Sequence, residues 1–575
     1  MQGEPQPAAG RFPRPTGLEW LCLVAGILLT LAYAWFLDDA FVYFRYVDNL
    51  LYLGRGLVFN EGEFVEGYSS PMWVLVVLAL RTTGLEYWLL LRVTGIALFV
   101  VFWALLVVTN RRLAPDPRAP GGVPILNLPL LALSLNYGVC CYFTSGMETP
   151  LVQVVAVGFA LYLVEPRSRF AAVLVGLAPL VRHELALPFL VALLWTWRRR
   201  GRFPRLPAAV CAATLGPWMA FRVWYYADLV PNTFHLKDQV AWGQGLAYLH
   251  DTLIAYGGYA LAAVLAALAV LLRRSRGADG PGLIAGPQRL VMLVCAGLVA
   301  LYVVRIGGDG RHYRYLAFSY CLALAAAGGI VESALARFGR RLGGAPPAVV
   351  WALGLAIGGL TLGAYPRQLS AHPLRANVRE TRVGVIRDAQ YHRLKEDLAF
   401  SPWSLAADTE VLTAREASML YEVYGETAPD HPVRLRDEYA RYLREVRPDH
   451  APHTITDSWC VRMFKRFNER LIHLDGLTDA YLAHMPVAAW RPGHKSKFLR
   501  QFGFELSRIQ DRHGWGRGVN RAAVEAGEAP TWVADNLEAI EAVEARIYND
   551  HDFLANLGLA LQRPPVIEVE VPRPE

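Results

Sequence analysis

The sequence predicts a polytopic α-helical membrane protein of about eleven transmembrane helices, followed by a soluble C-terminal domain of α/β or α+β type. Three observations predict it. Apolar runs near the ~20 residues that a helix needs to cross a hydrocarbon core recur from residue 18 to about 365 and then stop. Arginine clusters fall in alternate connections between those runs. The 575-residue chain is 54% hydrophobic, yet its mean hydropathy is only +0.25, too low for a uniformly embedded protein. A membrane part must therefore be joined to a polar one.

Residues 1–16 hold Arg11, Arg14 and four prolines and read as a cytoplasmic tail. Leu18–Leu37 is apolar except for Glu19 and Thr30. A secretory signal would have a shorter apolar core ending at small residues, whereas this run ends in Leu-Asp-Asp, so it reads as a retained first span. Pro71–Gly84 is short and carries Arg81, which suits a helix lying along the interface. Further spans are expected at 87–109, 122–140, 150–164, 169–181, 185–197, 206–226, 250–272, 288–304, 314–333 and 346–365. With 71–84 left out of the count, the clusters at Arg111–Arg118, Arg167–Arg169, Arg198–Arg202, Arg273–Arg276 and Arg337–Arg341 all share the side of the N-terminal tail. The positive-inside rule makes that side cytoplasmic and the C-terminal domain extracytoplasmic. The protein is thus expected to be a multi-pass protein of a plasma membrane. The net charge of +7 belongs to this topology and does not mark a nucleic-acid footprint. Six of the seven cysteines lie in apolar segments without Cys-x-x-Cys spacing, as small core residues do.

The domain division follows: 1–16 tail, 17–368 transmembrane catalytic domain with a first external loop at 38–86, and 369–575 external domain. In the last, Arg415–Glu422 and Thr531–Tyr548 have helical periodicity and Val566–Val571 alternates like a strand. Its tryptophans 403, 459, 490, 515 and 532 read mostly as core, though an exposed one would stack on a sugar ring.

Chemistry-bearing residues collect on the external side. Asp38-Asp39 stands where the first span leaves the bilayer, ahead of a polar, glycine-bearing loop with Arg45, Glu66 and Tyr68. Further polar stations are Tyr142–Thr149, Arg182-His183-Glu184, Tyr225–Gly245 and Arg305–Arg314. Each also has a plain reading: interfacial anchoring for Asp38-Asp39, a helix-closing ion pair for Arg182 and Glu184, a solvated loop for His235 and Lys237, snorkelling for Arg311, His312 and Arg314. Five such stations on one face look like the walls of one cavity.

Asp-Asp-Ala-x-x-x-x-Arg-Tyr from Asp38, then Gly56-Leu-Val-Phe-Asn60 and Val65-Glu-Gly-Tyr68, resembles the first external loop of the AftB-like arabinofuranosyltransferases, membrane glycosyltransferases of the GT-C class. Thr144–Leu151, Tyr225–Phe234, Gly307-Gly-Asp309, Asp475–Asp479 and Arg491–Lys495 are similar to family segments in the same order. Arg182-His183-Glu184-Leu185 departs from the family's Arg-Pro-Glu-Gly, and Gly310-Arg311-His312 is also unusual, so donor choice is where this chain would differ.

The resemblance implies a polyprenyl-phosphate sugar donor, decaprenyl-phosphoryl-arabinofuranose-like, and a cell-wall arabinan or other glycan acceptor. Transfer needs a carboxylate for the acceptor proton or for oxocarbenium charge, cations for the departing phosphate, and positioning. Asp38 and Asp39 are the candidates for the first; Arg45, His235, Lys237, Arg311, His312 and Arg314 for the second; Glu66, Tyr68, Glu148, Arg182, Glu184, Asn232 and Asp309 for substrate contacts. No cofactor is required and no ligand spacing demands a metal, although a divalent cation is compatible with paired carboxylates. Alternatives are a glycosyltransferase of the same class acting on pilin or another protein, a lipid phosphatase and a secondary transporter. The transporter reading lacks an internal repeat.

Overall fold

The structure, a computed structural model, describes residues 13–32, 34, 37, 39–85, 87–114, 125–237, 240–256, 258–259, 286–309, 313–333, 352, 357, 454–457, 470–473, 476–486 and 496–569. The chain begins with α1 (Gly17–Ala32), α2 (Ala40–Leu51) and α3 (Pro71–Arg81). α3 starts as a helix should: the Ser70 hydroxyl caps the Trp73 amide at 3.3 Å, and Pro71 takes the first turn, where no amide partner is lost. At 11 residues it is too short to cross a bilayer, as expected of an interfacial element.

The membrane bundle follows. It contains α4 (Tyr87–Leu113), α5 (Leu128–Ser134), α6 (Tyr137–Tyr142), α7 (Thr149–Val164), α8 (Arg169–Val181), α9 (Ala186–Arg200) and α10 (Arg205–Tyr226). Then come α11 (Asn232–Lys237), α12 (Trp242–Ala255), α13 (Pro287–Arg305) and α14 (Ala317–Ala325). Among the described residues, four helical segments, Leu89–Leu113, Arg205–Tyr226, Pro287–Arg305 and Arg314–Ser333, are long and apolar enough to span a membrane. Without a hydrophobic drive between helices in lipid, close packing of small residues holds such bundles. Gly95 of α4 is an instance: a Cβ there would lie 2.0 Å from the Phe143 carbonyl oxygen.

Two expectations for this part need correction. The single span at 122–140 is two short helices, because the Asn127 and Asn136 side chains each cap a new helix, accepting from the amides of Leu130 and Val139. The helix expected over 250–272 starts earlier, at Trp242, and beyond Ala255 only 256, 258 and 259 are described. The span at 346–365 lies outside the described residues except for Ala352 and Ile357, and Arg415–Glu422 lies outside them entirely.

The described C-terminal part is mixed. Parallel strands β1 (Thr454–Asp457) and β2 (Arg470–His473) accompany α15 (Ala480–Ala483), α16 (Ser496–His513), α17 (Val519–Glu525), α18 (Thr531–Asp535), α19 (Leu537–Ile547) and α20 (Phe553–Leu561). The expected helix at Thr531–Tyr548 breaks at Asn536, whose side chain instead holds the Glu568 backbone. Residues 566–569 alternate in burial but form no strand; the Ile567 amide bonds a single carbonyl, that of His484.

The first loop joins the two parts. Val65 is buried in the C-terminal core among Ile472, Leu506, Ile540 and Val543, while Leu471 and Leu477 belong to the core of the bundle. Asn60 makes a two-way hydrogen bond with the Leu471 backbone, at 2.9 and 3.1 Å, and the Phe64 amide donates to Ile547 at 2.8 Å.

Candidate active site

The site is built where helices break. α8 ends in an extended Arg182, and a 3-10 turn, His183–Leu185, precedes α9, so the Arg-His-Glu step sits between two short apolar helices. A second 3-10 turn, Arg314–Leu316, follows Tyr313, whose φ of +65° is strained for a residue with a side chain. Gly308 nearby, at φ +78°, has no room for a Cβ, which would lie 2.4 Å from the Tyr248 ring.

These turns bring two buried arginines onto a set of carboxylates. Arg314 pairs with Asp39 at 2.7 Å and faces Asp309 at 3.6 Å and Glu148 at 3.8 Å. Arg182 pairs with Glu148 at 2.7 Å and with Glu184. The Tyr43 hydroxyl donates to the other Glu148 oxygen at 3.3 Å. Burial pushes the Glu148 carboxyl upward, but Arg314 and Arg182 outweigh it and hold it below the usual range. The carboxylate is therefore a fixed negative charge and not a proton store. Nε of Arg314 is buried and finds no acceptor among the described residues.

Tyr315 organises the cations. Its ring lies 4.6 Å from the Arg182 guanidinium, 5.1 Å from Lys237 Nζ and 5.5 Å from the Arg314 guanidinium, and Lys237 donates to its hydroxyl. Arg182 and Tyr315 also line a cleft with His183, Lys237, Arg305 and the apolar Phe234 and Ile306. His183 shares a 2.9 Å hydrogen bond with Tyr302 there. Three cations, Arg182, Lys237 and Arg305, beside the apolar Phe234 and Ile306 can receive an anionic headgroup that carries a hydrophobic tail.

Of the residues singled out from sequence, Asp39, Glu148, Arg182, Glu184, Asp309, Arg314 and Lys237 come together here. Asp38, Arg311 and His312 lie outside the described residues. The remaining ones are engaged elsewhere. Arg45 is buried within the first loop and donates to the Phe59 carbonyl at 2.7 Å. Both oxygens of Glu66 meet the Arg222 guanidinium, at 2.5 and 3.0 Å, and the Tyr68 hydroxyl meets that of Tyr226 at 2.9 Å. Asn232 donates to the carbonyls of Gly476 and Leu477, both at 3.0 Å, tying α11 to the C-terminal part. His235 is 2.9 Å from Asp228 and its ring is 4.5 Å from that of His484. Burial raises the Asp228 carboxyl, but the bond to His235 outweighs it and holds it below its ordinary value. Arg305, at the head of the Arg305–Arg314 station, lines the cleft, whereas Tyr43, Tyr248, Tyr302 and Tyr315 carry no signal in the sequence that marks them for the site.

Fold and site together define a helical membrane protein whose first polar loop abuts an arginine–carboxylate cluster and a cationic cleft. The chain is 28% identical over 340 residues to a terminal beta-(1->2)-arabinofuranosyltransferase of Mycobacterium tuberculosis, covering 50% of this chain and 51% of that protein. It is also 28% identical over 335 residues to the protein of the same name from Corynebacterium glutamicum, covering 49% and 46%. The resemblance read from the first loop is thereby borne out. The chain spans about half the length of the curated relatives it matches. No family model and no solved structure matches it.

Proposed function

We propose that this chain is a membrane arabinofuranosyltransferase that takes the sugar from a polyprenyl-phosphate donor and places it on an arabinan end outside the cell. One observation carries the reading: the Asp39–Arg314–Glu148–Arg182 constellation abuts a cationic, partly apolar cleft, in a chain similar to two named arabinofuranosyltransferases. In the reaction the bond from the anomeric carbon to the phosphate oxygen breaks, and its electron pair leaves with the phosphate. A bond from that carbon to the acceptor hydroxyl oxygen forms, and the hydroxyl proton passes to a carboxylate of the Asp38-Asp39 pair. Arg182, Lys237 and Arg305 meet the charge on the phosphate, Arg314 fixes Asp39, and Glu148 holds both arginines in register. His183, where the family commonly has proline, lines the cleft and is positioned to alter which sugar is accepted.

The topology belongs to the same proposal: about eleven spans, the N-terminus inside, and 369–575 outside as a domain that binds carbohydrate. A cysteine placed after residue 375 should label only from outside and Arg199→Cys only from inside; labelling of both from one side would undo the span count. For the chemistry, purified protein mixed with polyprenyl-phosphoryl arabinofuranose and an arabinan oligosaccharide should release free polyprenyl phosphate. Asp39→Asn should cut that turnover, measured well below the melting point because the change also takes a charge partner from buried Arg314, by about 10²–10⁴-fold, the range of a positioned acid–base group. Full turnover in a variant with both Asp38→Asn and Asp39→Asn would end this mechanism.

A further inference from the structure

The final helix turns its apolar side the wrong way for a water-soluble domain. α20 reads Phe-Leu-Ala-Asn-Leu-Gly-Leu-Ala-Leu and carries no charge. Asp552 caps it, accepting from the Ala555 amide at 2.8 Å. The helix packs on α10, where Asn556 donates to the Trp224 carbonyl at 2.8 Å, and its fully buried residues are Asn556 and Ala560. So the polar Asn points inward, while Leu554 is 77% exposed, Leu561 68% and Phe553 42%. A surface helix in water shows the opposite arrangement, apolar stripe inward and polar face outward.

Its neighbour says what covers this face. α10 is long and apolar enough to cross a membrane, and α20 lies against the end of α10 opposite Arg198–Arg205. Trp224, in the last turn of α10, is 41% exposed beside it, the place of an interfacial aromatic. The apolar surface of α20 thus continues that of a membrane span. At nine residues α20 is far too short to cross a bilayer, so it can only lie in the interface. Exposed Arg563 follows directly.

We propose that α20 is a monotopic anchor, lying in the outer boundary between headgroups and acyl chains and holding the C-terminal domain down on the bilayer beside α10. The anchor is independent of the sugar chemistry and rests on α10 being a span whose Tyr226 end lies outside. The test uses the full-length protein in vesicles of phosphatidylethanolamine and phosphatidylglycerol, with a diazirine amino acid encoded singly at Leu554, Leu561 or, as control, the exposed Glu525 of α17. All three positions are at the surface, so the side chain should not disturb packing, and retained thermal stability will verify it. After photolysis, phospholipid adducts at 554 and 561 should exceed those at 525 by at least about tenfold, given that an anchor of this kind sits ~5–10 Å deep. Adducts at 554 and 561 no higher than at 525 would overturn the anchor, as would crosslinks joining two copies of the chain. Leu554→Glu combined with Leu561→Glu should abolish lipid adducts from a diazirine at Phe553; persistence of those adducts would also overturn it.

Discussion

Glu66 and Glu148 are both carboxylates buried against arginine, yet their surroundings differ in kind. Glu66 gives both oxygens to a single guanidinium, that of Arg222. Around it, Asn60, Asn232 and the Phe64 amide bond carbonyls of the C-terminal part, and Val65 fills that part's core. That seam is closed, Glu66 and Arg222 answering each other. Glu148 instead shares one oxygen with Arg182 and faces Arg314, and those two arginines also reach Glu184, Asp39 and Asp309. The second cluster opens through Arg182 and Tyr315 onto a cleft with Lys237 and Arg305. Burial of charge alone therefore does not separate structure from function. What separates them is whether the charges close on each other or converge on a space.

The largest test of that difference is Arg314→Gln. Removing the fork that fixes Asp39 should lower turnover by roughly 10²–10³-fold, the scale of a lost preorganised donor. Retained turnover would put the cluster in the same structural class as the seam. Glu66→Gln should act the other way. It leaves Arg222 buried without its charge, costing about 3–5 kcal/mol of stability, while kcat/KM measured well below the melting point stays near wild type. A fall in kcat/KM without a fall in Tm would move Glu66 back among the substrate contacts.

Asp479 sharpens the seam through pH. It caps α15, accepting from the Leu482 amide at 2.8 Å. Burial, with a smaller push from Glu63, raises its carboxyl from 3.8 to about 7. Its folded value lies above its unfolded one, so the native state binds more protons between those limits. The group thus contributes stability in acid that is lost as pH rises from about 4 through 7, at most roughly 4–5 kcal/mol. Asp479→Asn keeps the cap and removes the buried charge, so Tm should become flatter across that window and higher at pH 8. An unchanged Tm-versus-pH curve would contradict this. The smallest effect is expected from Lys237→Ala. Losing one charge-assisted bond to a phosphate should weaken donor binding by about 1.5–3 kcal/mol, read in KM with kcat little changed. An unchanged KM would return Lys237 to holding Tyr315.

The motif-bearing segments were legible because their residue types are few and ordered. Asp39, Glu148, Arg182, Asp309 and Arg314 stand out as charges at the ends of apolar runs, where a charge needs a reason. The uncharged tyrosines were not legible, since nothing separates Tyr315 or Tyr43 from the other 24 tyrosines until the cations around them are placed. Arg45, Glu66, Tyr68 and Asn232 look as chemical in the sequence as their neighbours do. Only their partners in space, Phe59, Arg222, Tyr226 and the backbone near Gly476, show what they hold.

By itself the sequence determined the membrane character, the limits of the helices Thr149–Val164, Arg169–Val181 and Arg205–Tyr226 to within one residue, and the short α3. These follow from runs of apolar residues and local caps, which act within a few residues of each other. The split at Leu135–Asn136 follows from a local asparagine cap as well, whereas tertiary structure alone decided that 566–569 forms no strand, and which charges converge and which close in pairs. Asp39 and Arg314 lie 275 residues apart, and Glu66 and Arg222 lie 156. A hydrogen bond or ion pair is fixed over a few ångströms of space, and no local pattern records which distant residue will arrive there.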